Sequence, residues 1–433
     1  MPEKAAAGHC PASPPSPGVR PGKRRLRCGF STGTAAAAAA RAALRLLLTG
    51  HAPTVVSVRL PVGYYLPVPI RDAVLTPGSA VAGVIKDGGD DPDVTHKAEI
   101  RVRARLALLS ETSGNTAGTL EGEASGIRII GGEGVGTVTK SGLPVQIGEP
   151  AVNPVPREML LQNLSEEFLA CANSISHPLP LSEKTPNEKI PDSGHPSVFL
   201  PFSAEQGFPP NLVVEVEIQV PRGTELAART LNPRLGIVGG ISILGTTGLV
   251  RPFSHEAYEE TIHVAMSVAA AAGCRELVLS TGGKSERFAR NRLGDPRSET
   301  LVQIADFFAF ALGEARNMGF QRIVLSAFFG KVVKMAQGHP YTHAHTTPLD
   351  LGPVAQIARE TGCDEPFCEK IASANTAREA LELVLARDAV QVVKAVAEQA
   401  VTQALRLGGG RFSVRLLLFD YDGSLLVDLE RSC

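Results

Sequence analysis

The sequence predicts a mixed fold in two parts, an α+β domain over residues 26–235 and an α/β domain over residues 236–433. Three observations carry this expectation. Strand-like segments of the first half are joined by glycine-rich turns rather than long helices, strands and helices alternate in the second half, and residues 1–25 hold six of the 32 prolines with little that could pack. Alternating strand and helix implies a parallel sheet with helices laid against it.

Residues 1–25 read as a disordered tail, closed by the basic cluster Arg20, Lys23, Arg24, Arg25 and Arg27. Thr34–Leu48 is an alanine-rich helix with Thr32 or Thr34 as N-cap and Gly50 just past its end. The run Ala35–Ala40 carries no bulky side chain, so a sheet or a second backbone can approach closely. Val55–Leu60, Ala98–Leu108, Gly126–Ile130 and Val213–Val220 are strands by alternation or β-branching. Residues 163–211 hold eight prolines and seven serines and read as a long surface insertion. Further on, Ile237–Leu244 reads as a buried apolar strand, Glu256–Ala272 as a helix and Glu276–Ser280 as a strand. Leu301–Met318 reads as a helix ended by Gly319, and Arg322–Ser326 as a strand. Helices are expected over Ala372–Ala386 and Ala389–Leu405. Phe412–Asp420 and Ser424–Asp428 form a hairpin around Tyr421-Asp422-Gly423.

Composition excludes several classes. Lys+Arg is 43 and Asp+Glu 44, so the net charge of -1 gives no footprint for nucleic acid or an anionic membrane. No apolar run reaches ~18 residues, so no transmembrane helix is expected, and residues at the N-terminus lack the apolar core of a secretory signal. Seven scattered cysteines, an odd count, argue for free thiols in a reducing compartment.

Four motifs bear on chemistry. Gly131-Gly132-Glu133-Gly134-Val135-Gly136 follows a strand, but its spacing is not G-x-G-x-x-G and the residues after it look extended, so it is either a tight turn or a glycine-lined approach to a ligand. Residues 240–247 have P-loop glycine spacing with Thr246 where the lysine belongs, which removes the grip on β/γ-phosphates. Glycines and hydroxyls at a strand end suit a polar ligand that is not strongly anionic; close helix–strand packing is the competing reading. Asp87, Asp90, Asp91 and Asp93 crowd seven positions without calcium-loop spacing. Carboxylates so close raise one another's pKa, which suits a general base, although acidic turns are common. His339, His343 and His345 share a loop, and Cys363 and Cys368 lack zinc-knuckle spacing, so no dedicated metal site is expected.

At these residues a resemblance enters. GFSTGTAAAAAARAAL (29–44), VIKDGGDDPDVTH (84–96), residues 126–159, NPRLGIVGGISILGTTGLVRP (232–252), GKSERFA (283–289) and YTHAH (341–345) make the chain resemble the CbiD family, the cobalt-precorrin-5B (C-1)-methyltransferases of anaerobic cobalamin biosynthesis. The chain departs from that pattern at Ala35, where cysteine is usual, in the length of the 163–211 stretch, and after His343. The resemblance implies methyl transfer from S-adenosyl-L-methionine to ring carbon C-1 in the cytoplasm, and an α+β domain followed by a Rossmann-like one.

Site residues are physical expectations on the matched positions. Asp90 and Asp91 are the catalytic candidates. Gly239, Gly240, Gly245, Thr246 and Thr247 are the expected donor loop, because a sulfonium tolerates hydroxyls where a lysine would repel it. The substrate's many carboxylates call for cations, and Lys86, Lys140, Arg157, Arg234, Arg251, Lys284 and Arg287 are available. Two rivals stay open: a corrinoid carrier without chemistry, and a nucleotide-dependent enzyme, against which both broken fingerprints argue. Homo-oligomerisation is left open.

Overall fold

The computed structural model describes residues 26–109, 125–172, 181–184, 195–202, 211–344 and 346–432. The tail 1–25, three segments of the 163–211 stretch and His345 lie outside them. The chain divides into two compact units, Met1–Lys140 with Pro144–Ser254, and Ser141–Leu143 with His255–Cys433.

The first unit begins with β1 (Gly29–Phe30) and α1 (Thr32–Thr49), followed by β2 (Val55–Arg59), β3 (Tyr65–Pro69), β4 (Asp72–Thr76), β5 (Ser79–Ile85) and β6 (Glu99–Leu109). Next come β7 (Gly126–Gly131), β8 (Thr137–Val138), α2 (Pro154–Ala172), β9 (Leu181–Lys184), β10 (Ser197–Pro201) and β11 (Leu212–Gln219). Short α3 (Gly223–Ala227), α4 (Asn232–Leu235), β12 (Ile237–Val238) and β13 (Leu249–Val250) close the unit. The main sheet runs β10-β7-β11-β6-β5-β4, with β9 parallel to β6. Inward residues of β6 (Ile100, Val102, Ala104, Leu106) alternate with Arg101, Arg103 and Arg105. The core face is covered by α1, whose six consecutive alanines are all fully buried. Their small side chains let the helix lie against the sheet on one side and α2 on the other, as expected. Ser31, rather than Thr32 or Thr34, is the N-cap, its Oγ accepting the Thr34 N–H at 3.1 Å.

Two expectations fail in this unit. The stretch read as a proline- and serine-rich insertion begins inside α2. Asn163 and Glu167 are fully buried, and the Glu167 carboxylate takes Arg41 Nε at 2.6 Å and Arg45 Nη2 at 2.9 Å. Its later parts supply β9 and β10, and β10 pairs with β7. Ile237–Leu244 is not one buried strand either. Only β12 is extended, antiparallel to β8, and Val238 and Leu244 are exposed. Isolated bridges join Ile241 to Val135 and Ile243 to Val152. These pairings, with β13 on β1, place residues 236–254 in the first unit.

The second unit comprises α5 (His255–Ala271), β14 (Glu276–Ser280), α6 (Gly283–Leu293), β15 (Leu301–Gln303), α7 (Phe308–Asn317), β16 (Arg322–Phe328) and α8 (Phe329–Ala336). It continues through α9 (Gly352–Glu360), α10 (Glu365–Ser373), α11 (Ala377–Ala386) and α12 (Val390–Gly408) to β17 (Ser413–Phe419) and β18 (Leu425–Arg431). Its sheet runs β15-β14-β16-β17-β18, parallel except for β18. Alternate residues feed two cores: Leu277, Leu279, Ile323 and Leu325 face α5, α7, α8 and α12, while Val278 and Val324 face Ala289 of α6. The segment expected as one helix from Leu301 is strand β15 first and helix only from Phe308, because a short, mostly apolar run such as Leu301-Val302-Gln303-Ile304 serves either state equally well.

Candidate functional site

In the first unit the acidic loop after β5 is built around β1. The Phe30 N–H donates to the Asp87 carbonyl at 2.8 Å, while on the other side β1 pairs with β13. Each carboxylate of the loop is hydrogen-bonded, two of them to Arg27. Arg27 pairs with Asp87 through its guanidinium and donates its backbone N–H to Asp90 Oδ2 at 2.7 Å. Lys86 is fully buried and pairs with Asp93, whose Oδ1 also accepts the Thr95 N–H and hydroxyl, both at 2.7 Å. The Phe253 N–H donates to Asp91 Oδ1 at 3.1 Å. The expected mutual raising of carboxylate pKa values is therefore overturned at two of the four. Burial pushes Asp87 and Asp93 up, but Arg27 and Lys86 respectively outweigh it and hold both below the ordinary carboxylate range. Asp90 is exposed and Asp91 half-buried.

Beside this loop, exposed Phe253 takes a left-handed backbone (φ +57°) and presents 67% of its surface to solvent. That conformation costs a non-glycine residue about 1–3 kcal/mol, and the Asp91 bond helps hold it. Arg251 stands exposed two residues earlier.

The expected donor loop is packed against the first turn of α1. The Gly33 N–H donates to the Leu244 carbonyl at 3.0 Å, and the Ser31 N–H to the Gly248 carbonyl at 2.9 Å. The Thr34 hydroxyl donates to the same Gly248 oxygen at 2.6 Å, while Thr32 Oγ1 accepts the Leu244 N–H at 2.8 Å. Gly245 (φ +138°) lies where an added Cβ would stand 2.3 Å from Ser31 Oγ. Gly240 is pressed against Gly134, and Gly239 faces open space. Thr247 Oγ1 accepts the Leu249 N–H at 3.3 Å, and Thr246 is exposed. The loop follows no strand of a parallel sheet, so its expected place at such a strand's C-terminal edge is corrected. Substituting Gly245 would disturb the contact with α1 directly and cannot report on ligand binding alone.

The expected cations scatter. Arg157, in the first turn of α2, donates Nε to the Val152 carbonyl and Nη2 to Glu149 Oε2, both at 2.7 Å. Lys140 Nζ donates to the Arg234 carbonyl at 3.3 Å, beside Gly236 at the end of α4. Lys284 and Arg287 belong to the second unit. The Lys284 ammonium donates to the Tyr421 carbonyl and lies 5.9–6.0 Å from the ring centres of Phe288, Phe328 and Tyr421. Arg287 stacks over Phe288 at 5.5 Å. The first unit thus gathers Asp90, Asp91, Arg251 and the 245–248 loop around β1. Arg27 and Phe253 were missed, though a basic residue just before a glycine-rich strand and a phenylalanine after proline in a polar loop were signals. The Cys171 thiol is pushed to about 11 by burial and the Glu167 charge, so it is no nucleophile. Among the described residues no three His, Cys, Asp or Glu side chains converge as metal ligands, and no helix is long and apolar enough to cross a membrane.

The family model described as CbiD matches residues 19–190 and 198–252, and the one described as CbiD, C-terminal domain, matches residues 341–429. The chain belongs to the CbiD family. Among curated CbiD relatives, a protein of Nitratidesulfovibrio vulgaris named cobalt-precorrin-5B C(1)-methyltransferase is 42% identical, covering 98% of this chain and 97% of its own. Proteins of the same name from Geobacillus kaustophilus (35%, covering 93% of this chain and 95% of their own) and Burkholderia thailandensis (37%, 93% and 96%) are also similar. A crystal structure of cobalamin biosynthesis protein (cbiD) from Archaeoglobus fulgidus is 25% identical, covers 70% of this chain and 78% of that one, and has a TM-score of 0.32.

Proposed function

We propose that this chain transfers a methyl group from S-adenosyl-L-methionine to C-1 of cobalt-precorrin-5B. The observation that carries the reading is the near-full-length similarity to the N. vulgaris protein named cobalt-precorrin-5B C(1)-methyltransferase, at 42% identity over 98% of the chain. In this reading the second unit is a Rossmann-like domain, supported by its parallel strand order and its helices on both faces.

Methyl transfer forms a carbon–carbon bond from an electron pair of the ring carbon while the carbon–sulfur bond breaks and its pair stays on sulfur. The donor brings its own leaving group, so alignment and exclusion of water dominate, worth about 7–11 kcal/mol. A general base adds about 10²–10⁴-fold. The face around β1 suits the acceptor. The exposed Phe253 ring offers a flat apolar surface to a macrocycle, Arg251 meets a peripheral carboxylate, and Asp90 or Asp91 takes a ring proton. Lys86 and Arg157 stand further from this role, since their charged groups are engaged within the chain.

The test is direct. The purified chain is incubated with S-adenosyl-L-methionine and cobalt-precorrin-5B, and mass spectrometry follows the corrinoid. A gain of one methyl is expected. An unchanged corrinoid retained on the protein would instead establish the carrier. Asn at 90 or 91 keeps an acceptor for the Arg27 or Phe253 N–H while removing charge. At least one of D90N and D91N should lower kcat/KM 10-fold or more, about 1.4 kcal/mol. Full activity in both makes the loop a structural turn.

A further inference from the structure

The second unit has a sheet edge that the acceptor site does not use. The chain leaves β14 through α6 on one face to reach β15, then crosses by α7 on the opposite face to reach β16. The strand order therefore reverses at β14, and open α/β sheets bind ligands beyond the strand C-termini at such a point. The turn from β14 into α6 is Thr281-Gly282-Gly283. An added Cβ at Gly282 would meet no atom within 4 Å, and one at Gly283 only Gln303 Nε2 at 3.8 Å. These glycines leave room above the turn.

Groups with unfilled capacity follow the C-terminal ends of β15 and β16, the two strands that flank β14. Asp306 follows β15, 24 residues after Gly282. Its side chain is 14% exposed, and both of its side-chain partners, the Lys331 ammonium and the Thr342 hydroxyl (3.0 Å), bond to Oδ1. Oδ2 remains as an acceptor. Lys334 on α8 is 6% exposed and donates to the Thr342 carbonyl at 3.1 Å. No carboxylate among the described residues lies within ion-pair distance of it. An ammonium carries three donors, so a buried one with a single neutral acceptor has donor capacity left for an anion. Burial and the nearby Lys331 charge hold it below the ordinary lysine value, as at many functional sites.

We propose that this edge binds the methyl donor: Asp306 accepts the ribose hydroxyls through Oδ2, and Lys334 with Lys331 meets the amino-acid carboxylate, over the Gly282–Gly283 turn. The proposal rests on the donor reading above. It places the donor on the second unit, not on the 245–248 loop.

Calorimetric titration of the full chain tests it, with S-adenosylhomocysteine and adenosine as probes. Asp306→Asn should weaken both about 10-fold or more. Lys334→Met should weaken S-adenosylhomocysteine by as much and leave adenosine unchanged, because adenosine has no carboxylate. Gly282→Val should abolish binding of both while keeping the parent's melting temperature, since its side chain meets no protein atom. If the parent binds and the Gly282 and Asp306 variants bind equally well, this site is overturned and the donor reading stands. A parent that binds neither probe overturns both.

Discussion

An added Cβ at Gly134 in the first unit would stand 2.0 Å from the Val220 carbonyl oxygen, and one at Gly240 would stand 2.1 Å from that of Gly134; at Gly282 in the second unit it would meet nothing within 4 Å. Glycine reports that something approaches the backbone closely. At Gly134, Gly136, Gly240 and Gly245 in the first unit that neighbour is the chain itself, and these glycines are consumed in packing the segments 131–136 and 240–248 together and against the first turn of α1. At Gly282 in the second unit the neighbouring space is open. Glycine density marks both places alike, and only what stands opposite separates a packing glycine from a binding one.

Substitutions can break this contrast, the largest effect coming first. Gly134→Val puts a β-branched residue at φ +71° against a carbonyl. It should cost about 3–5 kcal/mol, read as lost cooperative unfolding or lost soluble protein; a stable variant would show that the contact yields. Glu167→Gln leaves Arg45 without a charged partner and Arg41 with Glu166 alone, and should cost about 3 kcal/mol in urea unfolding. Burial raises Glu167, but Arg45 and Arg41 outweigh it, so its pKa is lowered in the folded chain. Its stabilisation is then full above the ordinary glutamate value of about 4.3 and is lost as pH falls through the lowered one. The parent should lose that increment on acidification, and the Gln variant should have none to lose. Thr34→Val removes the hydroxyl bond to Gly248 and should cost about 1–2 kcal/mol. Gly282→Ala should change stability by no more than about 0.5 kcal/mol; a larger loss would erase the contrast from the other side.

Much of the fold is legible where periodicity is strong. The four strands expected in the first half lie within about a residue of those observed, as does Glu276–Ser280, while the second strand of the closing hairpin runs on to Arg431, three residues past its expected end. Legibility fails where one composition serves two structures. Leu301–Gln303 continues an apolar run that reads as helix, and Ile237–Leu244 has the apolar content of a strand without its pairing. At 163–172, the prolines and serines that follow hid the end of α2. A sharper signal was present there: Arg41 and Arg45, one turn apart in the alanine- and leucine-rich body of α1, call for a buried carboxylate, and Glu167 is it. The acidic loop was found by its density of aspartates, but the partners that hold its carboxylates are a three-dimensional fact. Asp306 and Lys334 were not singled out at all, because neither sits in a recognisable motif.

The bond from Thr34 to the Gly248 carbonyl joins residues 214 apart, and β1 is held between the acidic loop and β13. The first turn of the first helix is thus finished by the last strand of its unit. At roughly 5–20 residues per second of synthesis, the amino-terminal clasp waits about 10–40 s for its partner to be made. Meanwhile the alanine run of α1 has the sheet to pack against but no seal on its leading end. For this unit, beginning and completion are the same place in space and opposite ends of the message.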